Sequence, residues 1–238
     1  MKTKLWVGIT AGLILLTSAF TAEAQQPVRR WGVGTFLAYN SALFSLRDQY
    51  TGGAKYGLNW HYSLTPRVYI EAEYHRSEFE RGKLQDATFT WTVDGKEYGS
   101  PNASAEMRFS SGVVNLLIFH QAQPSFKSGD FVYYFQVGGG FYDYTSERRN
   151  FVYPGQNTKP LDVSLVLQPQ IDSRAALSTH AGFGVQAFAF DKIAVDLRAR
   201  YHIVMGDVRP MIAFGVEQKT FPIQLLDLVA GLKFYFWK

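Results

Sequence analysis

Hydrophobic and polar side chains alternate with a period of two along most of this chain, the pattern of a β-strand with one apolar face. The first run begins at Trp31, with Trp31, Val33, Leu37 and Tyr39 on one face and Gly32, Gly34 and Asn40 on the other. From Gly53 to Leu64, the residues Tyr56, Leu58, Trp60, Tyr62 and Leu64 oppose Lys55, Gly57, Asn59, His61 and Ser63. After Thr65-Pro66-Arg67, a tight turn, Val68, Ile70, Ala72 and Tyr74 oppose Glu71, Glu73, His75 and Ser77. A fourth run, from about Ala105 to His120, is apolar on both faces at its centre, which leaves its phase open. A fifth covers about Phe131 to Thr145, and a sixth, Leu177 to Phe190, sets Ala181, Phe183 and Val185 against His180, Gly182, Gly184 and Gln186. Asp191-Lys192 turns the chain into a seventh run, with Val195, Leu197, Tyr201 and Ile203 opposite Asp196, Arg198, Arg200 and His202. The last run, from about Asp227, carries Leu228, Ala230, Leu232, Phe234 and Phe236 on one face.

Connection lengths alternate as well. The links after the second and sixth runs are short and that after the fourth is intermediate, whereas those after the third, fifth and seventh are long and rich in Gly, Pro, Asn, Gln and charge. The first link on the long side, near Ser45 to Gly52, is modest. Short turns at one end and long loops at the other are the asymmetry of an outer-membrane barrel, and an even strand count brings both termini to the short-turn end. The sequence therefore predicts an all-β protein: an eight-stranded antiparallel up-and-down transmembrane β-barrel with short periplasmic turns and long extracellular loops. Thr92 to Lys96 suggests a two-residue hairpin that continues the sheet above the membrane. A soluble lipocalin-like barrel would turn the apolar face inward. Side-chain size favours the opposite: the polar face carries the glycines and the apolar face the rings, and an eight-stranded barrel is only wide enough for side chains to fill it.

The first residues fit export. Lys2 and Lys4 precede an apolar stretch from Leu5 to about Leu16, then small residues ending in Ala22-Glu23-Ala24. That stretch is shorter than the roughly 20 residues a spanning helix needs. Residues 1–24 read as a signal peptide and 25–238 as one barrel domain. Composition then narrows the chemistry. The chain has no Cys, which removes disulfide scaffolds, thiol catalysis and Cys-based zinc sites. Its net charge of +4 includes Lys2 and Lys4 of the signal, and is too weak to argue for nucleic acid. Its mean hydropathy of -0.11 excludes a bundle of membrane helices.

Three segments carry a family resemblance: Gly57 to Tyr74 (GLNWHYSLTPRVYIEAEY), Gly182 to Tyr201 (GFGVQAFAFDKIAVDLRARY) and Ala230 to Lys238 (AGLKFYFWK). The chain resembles the small outer-membrane β-barrel superfamily typified by the OmpA transmembrane domain and OmpX, over essentially all of its length after the signal. The first two segments look like that family's strand–tight turn–strand units. The third is similar to the terminal strand read by the barrel-assembly machinery, with Gly231, Phe234 and Phe236 in the expected spacing. It departs at Val229, where a polar residue is usual, and at Lys238, which follows the last aromatic. The resemblance implies an outer-membrane location, with periplasmic chaperones, the assembly machinery, outer-membrane lipids and lipopolysaccharide as partners. It implies architecture and export, not one activity.

With the polar face inward, the lumen would hold Lys55, His61, Glu71, Glu73, His75, His180, Asp196, Arg198, Arg200, His202 and Lys233. In a narrow interior of low dielectric, acids and bases should interdigitate as a salt-bridged filling. A gate or narrow solute path is the functional alternative. His75-Arg76-Ser77 invites comparison with the His-x-Ser-Asn of lipid A deacylase barrels, but Glu78 stands at the Asn position. No histidine pair has close ligand spacing, so no metal is expected, nor any cofactor. Gly138-Gly139-Gly140 precedes no helix and is no phosphate loop, and Asn102-Ala103-Ser104 is a sequon read as loop chemistry. The expectation is a non-enzymatic structural or surface-interaction barrel whose loops meet an extracellular ligand. The alternatives are a small diffusion channel and, behind it, a lipid A-modifying enzyme.

Overall fold

The computed structural model describes residues 30–79, 82–121 and 127–237. The signal-like segment and Lys238 lie outside these residues. The strands are β1 (Arg30–Ala42), β2 (Gly52–Ser63), β3 (Val68–Phe79), β4 (Thr88–Thr90), β5 (Glu97–Gly99), β6 (Ser104–Phe119), β7 (Phe131–Arg149), β8 (Gln170–Phe190), β9 (Ile193–Val204) and β10 (Ile223–Trp237). Eight of them close in the order β1-β10-β9-β8-β7-β6-β3-β2. Every neighbouring pair is antiparallel, and β1 joins β10 in register from Arg30↔Trp237 to Ala42↔Leu225. Closure leaves no edge along the paired rungs, so the backbone bonds there are satisfied within the sheet.

The turn between β2 and β3 forms because Pro66 presets its backbone and Thr65 supplies an acceptor. Thr65 Oγ1 accepts from the backbone N–H of Val68 at 3.0 Å and of Arg67 at 3.2 Å. Lumen-facing and outward positions then follow from pleat alone. The fourth run resolves with Ala105, Met107, Phe109, Val113, Leu117 and Phe119 buried, while Gly112 and Val114 face out. Its double-sided apolar centre thus serves both the interior and the outer face.

β7 spans 19 residues and β8 21, about twice the 9–11 that cross a bilayer. β8 starts at Gln170, not Leu177, and β7 runs to Arg149, not Thr145. Their upper parts pair with each other through Arg148↔Gln170, and β6 accompanies β7 up to Ser104↔Arg149, so this side of the sheet rises beyond the rest. β4 and β5 form a separate two-stranded sheet instead of continuing the barrel. Their turn is wider than the expected two-residue hairpin: Trp91 N donates to Lys96 O at 2.9 Å, and Gly95 takes a left-handed φ of 69°.

The interior is layered. At the short-turn end Tyr69, Leu117, Phe119, Val132, Tyr134, Phe188, Ala194 and Tyr235 pack together. At the loop end a larger apolar cluster joins the barrel mouth, through Phe79, Met107, Phe109 and Tyr144, to the loops, through Leu46, Leu84, Trp91, Phe151 and Phe214. Charge lies between the two. This corrects the expectation of a purely polar filling, and also the premise that rings would be excluded from the lumen. Rings fit because glycines on the same face make room: a Cβ on Gly184 would lie 2.2 Å from the Tyr134 ring, and one on Gly57 2.7 Å from Phe36 Cζ.

Candidate functional site

All eleven lumenal candidates are buried: Lys55, His61, Glu71, Glu73, His75, His180, Asp196, Arg198, Arg200, His202 and Lys233. They converge because β2, β3, β8, β9 and β10 point alternate residues into one narrow section. Two linked groups result. In the lower one Arg198 donates through Nη1 to Glu71 Oε1 at 2.7 Å and through Nε to Asp196 Oδ2 at 2.8 Å. Lys233 Nζ lies 2.7 Å from Glu71 Oε2. Asn115 Nδ2 donates to Glu71 at 3.0 Å, and Tyr134 Oη to Asp196 Oδ1 at 2.7 Å.

The upper group centres on Asp227. Its Oδ2 accepts from Lys55 Nζ at 2.6 Å, His202 Nε2 at 2.8 Å and Arg200 Nη2 at 3.1 Å. Arg200 Nη1 reaches Glu73 Oε2 at 2.7 Å, and Glu73 Oε1 lies 2.9 Å from His75 Nδ1. Tyr142 Oη bridges the histidines, 3.1 Å from His75 Nε2 and 3.0 Å from His202 Nδ1. Phe36 joins the two groups: the guanidinium carbons of Arg198 and Arg200 stand 5.8 and 5.7 Å from its ring centre. Four cations, Lys55, Arg198, Arg200 and Lys233, thus meet four carboxylates, Glu71, Glu73, Asp196 and Asp227. Their side chains are at most 1% exposed. Neutrality matters because an unpaired charge in such a place is costly.

Asp227, Phe36, Asn115, Tyr134 and Tyr142 escaped the sequence reading. Asp227 was within reach, since it shares the strand phase of Gly231 and Lys233. The rings were not, because aromatics on a barrel strand suggest the outer face. His61 packs against Tyr235, ring centres 4.6 Å apart, and His180 lies 4.6 Å from the His202 ring. Among the described residues no group of His, Cys, Asp or Glu is arranged to hold a metal. Ser77 Oγ accepts from Asn40 Nδ2 at 3.2 Å while His75 turns to Tyr142, so the His75–Ser77 pair does not form a nucleophile and base in contact.

The loop cap has its own polar locks. Trp91, 2% exposed, donates through Nε1 to Gln156 O at 2.7 Å. Phe214 meets Phe151 and Phe89 with ring centres 4.9 and 5.7 Å away. Arg148 donates to Asp172 at 2.7 Å, and Asp207 pairs with both Arg174 and Lys219. The bond from Lys219 and the charge of Arg174 hold the Asp207 carboxyl below its ordinary range. Burial pushes the Tyr50 phenol up, against its bond to Ser146.

The outer face carries exposed Trp31, Leu37, Tyr39, Leu58, Trp60, Tyr74, Tyr133, Phe141, Leu177, Phe183, Leu197, Leu228, Phe234 and Phe236. Phe234 and Phe236 sit at the short-turn end, where Phe236 stacks on Trp31 at 4.5 Å, while Gly231 faces inward. On β7 the outward positions are apolar from Phe131 to Phe141 and turn polar at Asp143. At roughly 3.3 Å per residue and a tilt near 40°, that stretch measures about 25 Å along the barrel axis, the height of an apolar membrane band.

The backbone of this barrel matches a known architecture. A major outer membrane protein from Thermus thermophilus superposes with a TM-score of 0.51 at 12% identity, covering 87% of this chain and 99% of that one. The chain has the fold of an eight-stranded outer-membrane barrel. Looser matches are the Yersinia pestis attachment invasion locus protein Ail, crystallised with the heparin analogue sucrose octasulfate (TM-score 0.48, 10% identity, 87% and 99% covered), and the N-terminal barrel domain of Pseudomonas aeruginosa OprF (0.43, 12%, 89% and 100%). No family model matches the sequence, and no curated protein matches it significantly.

Proposed function

We propose that this barrel is an integral outer-membrane protein with a sealed lumen, and that its loop cap is the surface through which it acts. The observation that carries the reading is the joint one: a belt of exposed apolar residues about one bilayer tall encloses an interior plugged at both ends by packed apolar side chains. A diffusion channel needs a continuous polar path, and Phe119, Tyr134 and Phe188 below the charged section with Phe109 and Tyr144 above it oppose one. The buried histidine and serine likewise favour a non-enzymatic role. Residues 1–24 would direct export, and Gly231, Phe234 and Phe236 would present the last strand to the assembly machinery, with periplasmic chaperones carrying the unfolded chain. The long loops, folded over the mouth, would meet an extracellular ligand.

Cell fractionation with heat-shift electrophoresis tests the location. The protein is expected in the outer-membrane fraction, extracted only by detergent, with unheated and boiled samples migrating differently. Recovery as a detergent-free soluble protein with one mobility would overturn it.

A further inference from the structure

Arg76 stands apart from the other arginines of the upper strands. Arg108, Arg149 and Arg174 each face a carboxylate, on Glu106, Glu147 and Asp207. Among the described residues Arg76 has no such partner, although Glu78 shares its strand and face. Phenols surround it instead. Its Nε donates to Tyr74 Oη at 3.1 Å, Tyr74 Oη lies 2.9 Å from Ser110 Oγ, and Tyr56 is its cross-strand neighbour. The exposed guanidinium is therefore held in place, with no carboxylate paired to it among the described residues.

Its position gives that charge a use. Arg76 lies on the outward face of β3, one rung above Tyr74 and toward the long loops, where the apolar belt ends. Directly beneath it runs a groove of about 550 Å³ between Tyr56, Leu58 and Tyr74. That groove shares Thr35, Leu58 and Tyr74 with a second of about 590 Å³ that continues down to Trp60 and Phe234. The small residues Thr35 and Ala72 lower the floor between the larger walls. An apolar trough within the belt, topped by an exposed guanidinium flanked by rings, is complementary to an acyl chain ending in a phosphorylated sugar headgroup.

We propose that this groove binds lipid A, with a phosphate on Arg76 and an acyl chain along Leu58, Ala72 and Trp60. The proposal rests on the membrane reading above, and on the loop end facing the leaflet that holds lipopolysaccharide. A glycerophospholipid would supply the same phosphate, so it serves as the competing arm. The test is native mass spectrometry of the full-length folded protein in detergent, with bisphosphorylated lipid A, dephosphorylated lipid A or phosphatidylglycerol added. Preferential retention of bisphosphorylated lipid A is expected. Arg76→Gln should weaken it roughly tenfold, the size of one charge-assisted contact. Ala72→Trp, which fills the trough and leaves Arg76 in place, should weaken it as well, with heat-shift mobility reporting that both variants are folded. Equal retention of phosphatidylglycerol overturns the choice of lipid A, and retention indifferent to both substitutions overturns the groove. A heat-shifting, detergent-dependent barrel with no lipid A preference sinks this site alone. A soluble chain sinks the membrane reading with it.

Discussion

The middle of the barrel and its loop cap are both shielded from water, yet they are built from opposite materials. Between β2, β3, β9 and β10, four cations and four carboxylates lock together with Tyr134, Tyr142 and Asn115. Over the mouth, Trp91, Phe89, Phe151 and Phe214 pack as in a soluble core. The difference follows from what each region must satisfy. The closed sheet already pairs its own backbone, so the middle is free to hold long polar side chains. The loops gain their order chiefly by burying apolar surface, and they take what packs. The middle should therefore fail abruptly when one charge is removed, and the cap gradually, on its own.

The largest effect expected is at Asp227, which serves Lys55, Arg200 and His202 at once. Asp227→Ala should cost about 3 to 5 kcal/mol, the usual penalty for orphaning buried charges. Equilibrium unfolding in urea, followed by loss of the fast-migrating band, measures it. A double variant that also replaces Lys55 with Met should recover part of the loss, because the cation left behind is then gone. Trp91→Ala should cost about 3 kcal/mol within the cap, as for a large core residue cut to a methyl. Proteolysis should then cut the long loops while the barrel keeps its heat shift; simultaneous loss of both would deny the independence of the two regions.

The smallest effect concerns Asp207. Its carboxyl is held below the usual range by Lys219 and Arg174, so its contribution is present above the unfolded value near 4 and fades as pH falls through the depressed folded value. Since its partners are half exposed, Asp207→Asn should cost under about 1 kcal/mol. Protease sensitivity of the loop between β9 and β10 should rise as pH drops from about 5 to about 3, and the Asn variant should lack that step.

The same contrast explains what could be read from the chain. Alternation exposed the barrel because outward-facing and lumen-facing demands differ at every second residue, as at Leu58 and Asn59. Above the apolar belt that contrast fades: Ile171, Ser173 and Ala175 on one face of β8 and Asp172, Arg174 and Ala176 on the other carry no clean alternation, so the upper part of that strand has no signal in the sequence. The charged lumen was legible from phase, and phase also reaches Asp227 from Lys233. Phe36, Tyr134 and Tyr142 were hidden, since only the closed barrel reveals which residues opposite leave room for each ring, as Gly57 does for Phe36 and Gly184 for Tyr134. The cap depends on Trp91 meeting Gln156 and Phe151 meeting Phe214, contacts between separate loops that no local pattern announces.

Planar-bilayer conductance of the folded, heat-shifting protein bears most directly on a lumen sealed by a neutral network between two apolar plugs. A sealed lumen gives no steady conductance above that of the bare bilayer. A reproducible open state, altered in Arg198→Ala or Glu73→Ala, would contradict it.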